Sequence, residues 1–264
     1  MEKAIEGKIE VIGRDDFMEM VFKYHYSKIL PKLTKLYLAD RQLQAVMSLG
    51  WGVRPIHTIR KLFPSLSSKD YYEIGKMCIA DGMPSNTATQ FITRVIRFLK
   101  ENCPEKKILF TWADGMLGKP GYVYQAANFL YGGYIWTDTY LSAVGEKIHP
   151  RTTGKIGGRP SDKKQCELGW THWRGKQFRY IYFLCGKQEK NRLLSESTVD
   201  WSINNHPKGC DLEWQIKKDG KWVKSPAPPY DKNLADFSDN AKRVVERAKQ
   251  ISLFSVARST INAD

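Results

Sequence analysis

Apolar positions along the chain change period several times, and each change marks an element. GKIEVI (7–12) reads as a short strand, and FMEMVFKYHYSKIL (17–30) carries apolar residues at helical spacing until Pro31 ends it. KLYLA (35–39) and LQAVMSLGWG (43–52) are apolar runs separated by Asp40-Arg41-Gln42, the pattern of a hairpin. YYEIGKMCIA (71–80) predicts another strand, broken by DGMPSN. TATQFITRVIRFLKEN (87–102) then places Phe91, Ile92, Val95, Ile96 and Leu99 on one helical stripe, with Ser85 or Asn86 as N-cap.

KKILFTW (106–112) predicts a strand, and YVYQAANFLY (122–131) a short helix ended by Gly132-Gly133. GYIWTDTYL (133–141) reads as extended, and FRYIYFLC (178–185) is the strongest late strand by its β-branched and aromatic content. SPAPPYDKNL (225–234) is a proline-rich turn region, and DNAKRVVERAKQISLFSV (239–256) predicts an amphipathic closing helix. No repeat or low-complexity tract interrupts the order. A β-meander followed by β-α-β-α-β predicts a mixed α/β sheet in a single domain.

Charge changes the picture more than composition does. The 264 residues are 42% hydrophobic, enough for a substantial core, yet carry a formal charge of +14. A protein this basic suits a polyanion, nucleic acid being the commonest, with plain solubility or an anionic lipid face as alternatives. The five cysteines form no CxxC pair, so neither a zinc ribbon nor a disulfide framework is expected. The charged N-terminus is unlike a signal peptide and no apolar run reaches the length of a membrane span, so a cytoplasmic protein is expected. A P-loop, a G-x-S-x-G elbow, an HExxH pair and a dinucleotide fingerprint are all missing from the sequence.

Three clusters carry candidate chemistry. His25-Tyr26-Ser27 closes the first helix, where a His beside a Tyr is more often a packing pair than a site. TWADGMLGKPGYVYQAANF (111–129) places Asp114 at a strand end, the usual ligand crevice of an α/β sheet. On the helix behind it, Tyr124, Asn128 and Tyr131 follow i, i+4, i+7 spacing, which suits either an internal hydrogen-bond network or a substrate pocket. The third cluster, residues 147–192, holds twelve basic residues against three acidic ones, nine of the chain's fourteen net charges. Its Arg151, Lys155, Arg159, Lys163, Lys164, Arg174, Lys176 and Arg179 are interleaved with Trp170, Trp173, Phe178, Tyr180 and Tyr182. Cations that hold phosphates beside aromatic faces that stack on bases suit an enzyme that extracts a base from a duplex. The bland alternative is a solvated basic surface over an aromatic core.

HYS (25–27), the Pro84-Ser85-Asn86 helix entry, the WAD…GYVYQAANF block and the basic RYIYFL strand together resemble the phage Mom family of DNA-modification proteins, over roughly residues 20–195. The resemblance implies a GNAT-type acyltransferase fold. That means a mixed, mostly antiparallel central sheet flanked by helices, with a basic insertion in a catalytic domain over 1–230 and a C-terminal helical extension over 231–264. It implies conversion of adenine in double-stranded DNA to N6-carbamoylmethyladenine, with the adenine flipped out, shielding phage DNA from host restriction. His25 and Tyr26 match the family's His-Tyr pair, and Asp114 and Tyr124 its Asp and Tyr; the resemblance makes these four the catalytic and metal set, with iron as the ion. Imidazole, carboxylate and phenolate suit iron, although two tyrosine ligands are unusual and one could orient the base or shuttle a proton.

The chain departs from ordinary GNAT enzymes where their pyrophosphate loop reads R/Q-x-x-G-x-G/A, because here the junction is DGMPSNT. Ser85, Asn86, Thr87 and Ala88 at that helix start are the candidate contacts to an acyl donor such as acetyl-CoA. Phe129 falls where the usual tyrosine acid stands, so Tyr124 or Tyr131 would have to serve. Gln125 or Asn128 would read the Watson–Crick edge of adenine, as amides suit its donor–acceptor pattern. Two rival readings are an acyltransferase acting on another nucleic acid, nucleotide or protein amine, and a non-enzymatic nucleic-acid-binding protein.

Overall fold

The computed structural model describes residues 7–27, 33–52, 55–148, 153 and 160–230. The chain divides into two compact units. The first holds the residues up to Asp114, then Lys119–Ile135 and Phe178–Asp211; the second holds Gly115–Gly118, Trp136–Gln177 and the residues from Leu212 onward.

The first unit opens with β1 (Glu10–Val11), α1 (Arg14–Tyr24), β2 (Thr34–Asp40), β3 (Ala45–Gly50), α2 (Pro55–Leu62) and β4 (Tyr71–Ile79). Strands β1 to β4 pair antiparallel in chain order, each with the next. The expected hairpin at Asp40-Arg41-Gln42 forms because buried Asp40 accepts from the Leu43 N–H at 3.0 Å and from Arg94 Nη1 at 2.7 Å. Phe17 and Val21 of α1 pack on Ala39, Val46 and Cys78. Helix α3 (Thr87–Asn102) buries the whole expected stripe from Phe91 to Leu99. It crosses over to β5 (Ile108–Asp114), which pairs parallel with β4 along Tyr71–Glu73 and Ile108–Phe110. Ile108 and Phe110 join Tyr71, Ile59 and Phe63 in a second apolar cluster, which α6 (Lys187–Glu196) completes with Leu193.

The expected helix over 122–131 is shorter. Helix α4 spans Tyr122–Ala126, and β6 (Leu130–Leu141) already includes Gly132 and Gly133. Asn128 adopts the left-handed conformation at φ 60°, its N–H reaches the Gln125 carbonyl at 3.1 Å, and the Phe129 N–H reaches the Tyr124 carbonyl at 3.0 Å. Those two bonds, with the Tyr124 and Phe129 rings 5.6 Å apart, are a Schellman closure of the helix. Asn128 and Tyr131 therefore do not share a helix face with Tyr124. Gly132 lies in β6, and a side chain is excluded there because a Cβ would lie 2.2 Å from the Trp201 ring. Asn128→Ala is expected to destabilise by about 1 kcal/mol, and Asn128→Gly to be neutral or better, as read from chemical denaturation.

The second unit contains β7 (Lys147–Ile148), α5 (Asp162–Glu167), β9 (Trp214–Lys218) and β10 (Lys221–Ser225). Residues 136–141 of β6 and 171–177 of β8 (Thr171–Phe183) also belong to it. Strands β9 and β10 form a tight hairpin about Asp219-Gly220, both at positive φ, and β9 pairs antiparallel with β8. Tyr140, Ile148, Leu168 and Trp170 make its core. The strand order of the whole sheet is β1-β2-β3-β4-β5-β8-β6-β7, with β9 on β8 and β10 on β9. A large, mostly antiparallel sheet flanked by helices agrees with the mixed α/β expectation. The expected closing helix at 239–256 lies outside the described residues.

Candidate functional site

The apolar run of β5 delivers Asp114 to the carboxyl end of the strand that pairs parallel with β4. Tyr26 meets it there: its hydroxyl donates to Asp114 Oδ2 at 3.4 Å, a long bond that orients more than it binds. His25 stacks on Tyr26 with ring centroids 4.3 Å apart, and Lys119 Nζ lies 4.6 Å from the Tyr26 ring centre. The Lys119 N–H donates to the Asp114 carbonyl, which ties the glycine loop back to the strand end. Nδ1 of His25 is 2.9 Å from both the N–H and the carbonyl of Ser27. These contacts fix the orientation of the imidazole through Nδ1, whose role as donor or acceptor depends on the tautomer.

Tyr124 is placed from the other side. Burial pushes its phenol above the ordinary value, against the opposing effect of the Thr111 hydroxyl, three residues before Asp114 on β5. Its ring packs on Phe129 and Tyr180, with centroids 5.6 Å away in each case. The buried Tyr180 hydroxyl donates to the Pro120 carbonyl and accepts from Gln125 Nε2 at 3.0 Å. Gln125 Nε2 also reaches the Pro207 carbonyl at 2.9 Å, so its NH2 braces this block instead of being held ready for a base. Asn128 is exposed, and Tyr131 is held on β6 by two backbone bonds to Ser202.

Thus His25, Tyr26 and Asp114 are gathered, and Tyr124 is anchored beside the same strand. Imidazole nitrogen, carboxylate and phenol oxygen are donors of the kind iron takes. Among the described residues no three His, Cys, Asp or Glu side chains form a metal-holding group, so a metal here would depend on a tyrosine oxygen. Tyr26, in contact with the carboxylate, fits that part; Tyr124 is desolvated and prefers to keep its proton.

At the start of α3 the structure places Ser85, Asn86, Thr87 and Ala88 as expected, with Asn86 at the N-cap but making no side-chain capping bond. The Thr87 N–H is already engaged by the Pro84 carbonyl at 3.0 Å. The basic segment is less uniform than its composition implies. Arg151, Lys155 and Arg159 lie outside the described residues. Lys164 and Lys176 are balanced by Glu167 at 3.2 Å and Glu213 at 3.1 Å, while Lys163 is exposed. Trp170 is buried in the second unit's core, and Phe178 and Tyr180 in the first unit's, so these three rings are packing residues and offer no stacking face. Trp173 stays half-buried, bonded to Thr171 Oγ1. Arg174 is sandwiched between the Trp136 and Trp222 indoles and bonded to Gln215.

Sequence reasoning gave no part to residues 201–211 or to Trp112. Trp201, Ser202, His206 and Pro207 all contact the block from 125 to 132, His206 Nε2 lying 2.9 Å from the Phe129 carbonyl. Arg179 lies over Trp112 at 5.4 Å. These contacts join segments far apart in sequence and leave no local pattern to read. Among the described residues no helix is long and apolar enough to cross a membrane.

The model of the Mom protein family matches residues 6–200. Methylcarbamoylase mom of Escherichia phage Mu is 28% identical over 191 residues, which is 70% of this chain and 76% of the phage Mu protein. The matched span contains His25, Tyr26, Asp114 and Tyr124, and with most of its length covered by the family's model the chain belongs to the Mom protein family.

Proposed function

We propose that this chain is a DNA-modifying transferase that converts adenine to N6-carbamoylmethyladenine and so protects phage DNA from host restriction. The observation that carries the reading is the Tyr26–Asp114 contact with His25 stacked behind it, at the carboxyl end of β5 inside the family-matched span. The name of the phage Mu relative and the net charge of +14 support it. A GNAT-type arrangement is supported by the βαβ crossover through α3, whose two strands pair over only three residues.

The exocyclic N6 of adenine is a poor nucleophile because its lone pair is delocalised into the ring. Bringing the base out of the stack and placing N6 beside a proton acceptor answers that difficulty. In this reading Asp114, oriented by Tyr26, takes the N6 proton as N6 bonds the methylene carbon of an activated two-carbon donor. Tyr124, which burial keeps protonated, gives its proton to the departing group. The exposed Asn128 reads the adenine edge, and the exposed Lys163 is a contact to a DNA phosphate. The two-carbon donor already carries its carboxamide, and the bond from its methylene carbon to the departing group breaks as the N–C bond forms. Acetyl-CoA, which loses its thiol from the carbonyl carbon, would instead meet the first-turn amides of α3 as donor in an acyl transfer. His25, Asp114 and Tyr26 would hold an iron ion, which when bound supplies a Lewis acid.

Mass spectrometry of nucleosides from cells expressing the chain is expected to show the carbamoylmethyl derivative of deoxyadenosine. Unaltered adenine in the presence of soluble protein would refute the reading. Metal content of the purified chain is expected to fall in His25→Ala and Asp114→Ala; equal content in all three proteins would remove the metal from the proposal.

A further inference from the structure

Arg179 holds a charge that nothing described so far balances. Its guanidinium lies over the Trp112 indole and Nη1 donates to the Gly132 carbonyl at 3.0 Å, while Nε is buried without a hydrogen-bond partner. Among the described residues no carboxylate pairs with it. Burial pulls the guanidinium below its ordinary value, and the Tyr131 phenol opposes that shift. Tyr131 is itself pushed up, first by its own burial, so it is a neutral phenol and supplies no counter-charge. Desolvating an unbalanced cation costs several kcal/mol, and an apolar side chain of the same length would avoid that cost. Lys164 and Lys176, by contrast, each have a carboxylate.

Position says what the charge is for. Trp112 and Asp114 are two residues apart on β5 and so share a face of that strand, with roughly 7 Å between their Cα atoms. The Arg179 guanidinium rests on the first of these residues. The fork of a guanidinium matches the paired oxygens of phosphate or carboxylate. We propose that Arg179 is the anchor of an oxyanion subsite beside Asp114, filled by a phosphate or carboxylate group that arrives with a substrate. The group is either the DNA phosphodiester flanking the target adenine or an acidic group of the two-carbon donor. The first source rests on the DNA-modification reading; the subsite itself does not.

Thermal melting of the full chain with inorganic phosphate or acetate, against chloride at matched ionic strength, tests the subsite. At an anion concentration about tenfold above Kd the wild-type midpoint is expected to rise by roughly 3–6 °C, while Arg179→Met shows no rise. Arg179→Met removes a buried charge for an apolar chain of similar length and so is expected to fold. Arg179→Lys, which keeps charge but loses the fork, is expected to show a reduced rise. The source is read from a short duplex and its counterpart with uncharged methylphosphonates flanking the adenine. If DNA fills the subsite, the substitution weakens wild-type binding but not that of Arg179→Met, whose salt slope is lower by about one. If the donor fills it, both proteins bind both duplexes alike while the small anions still stabilise only wild type. Equal responses of wild type and Arg179→Met in every arm overturn the subsite, even if modified adenine forms in cells. A persistent anion response without modified adenine overturns the DNA reading and leaves the subsite standing.

Discussion

Asp114→Asn is expected to lower adenine modification by about 10²–10⁴-fold, the usual share of a positioned proton acceptor. The substitution isolates the charge. An asparagine carbonyl still accepts from the Tyr26 hydroxyl, so the contact at 3.4 Å and the stacked His25 persist. What is lost is a group able to take a proton from N6. A residue that merely closed an internal hydrogen-bond network would tolerate this swap with a change of a few-fold. Activity within threefold of wild type, measured as modified deoxyadenosine per unit of soluble protein, would therefore return Asp114 to a structural part. Metal content separates the two remaining roles. Loss of both metal and activity marks a ligand, whereas loss of activity alone marks the proton acceptor.

Much of the frame was legible because it follows from period and punctuation. The stripe from Phe91 to Leu99 and the hairpin at Asp40 have local causes, an apolar face and a turn carboxylate. The Asp219-Gly220 pair between WQIKK and KWVKS carries an equally local hairpin signal, which the basic composition around it obscures. The end of α4 is different in kind. YVYQAAN continues a helical pattern in sequence, and only the left-handed Asn128 with its two closing bonds shows where it stops. At the site, His25, Tyr26 and Asp114 are grouped in sequence only through the family resemblance, because 88 residues separate Tyr26 from Asp114 and no local pattern links them. The aromatics of the basic segment show the limit most plainly. Trp170 and Trp173 are three residues apart and alike in sequence, yet one is core and the other is half-buried. Trp170 precedes the strand and Trp173 lies on it, a boundary readable only once β8 is known to begin at Thr171.

Gly121→Ala is expected to destabilise the chain by roughly 2–5 kcal/mol, because backbone strain and a steric clash fall on the same atom. Gly121 sits at φ 98°, a conformation that L side chains rarely adopt, immediately before α4. A Cβ there would lie 2.5 Å from Tyr180 Cε2 and 2.9 Å from the Tyr180 hydroxyl. That ring cannot simply swing aside: its hydroxyl holds the Pro120 carbonyl and accepts from Gln125, which in turn holds Pro207. Moving it would also disturb Tyr124, whose ring packs against it. Gly82→Ala is the matched control, since Gly82 has φ 81° but open space where the Cβ would go. Strain alone then predicts about 1–2 kcal/mol for Gly82→Ala. Chemical denaturation of both variants decides the matter, and equal losses would show that Tyr180 yields and that the block behind Tyr124 is not rigid. If the larger loss at Gly121 is found, modification activity should fall with it even where the variant remains folded, because the proton donor is displaced with the ring it leans on.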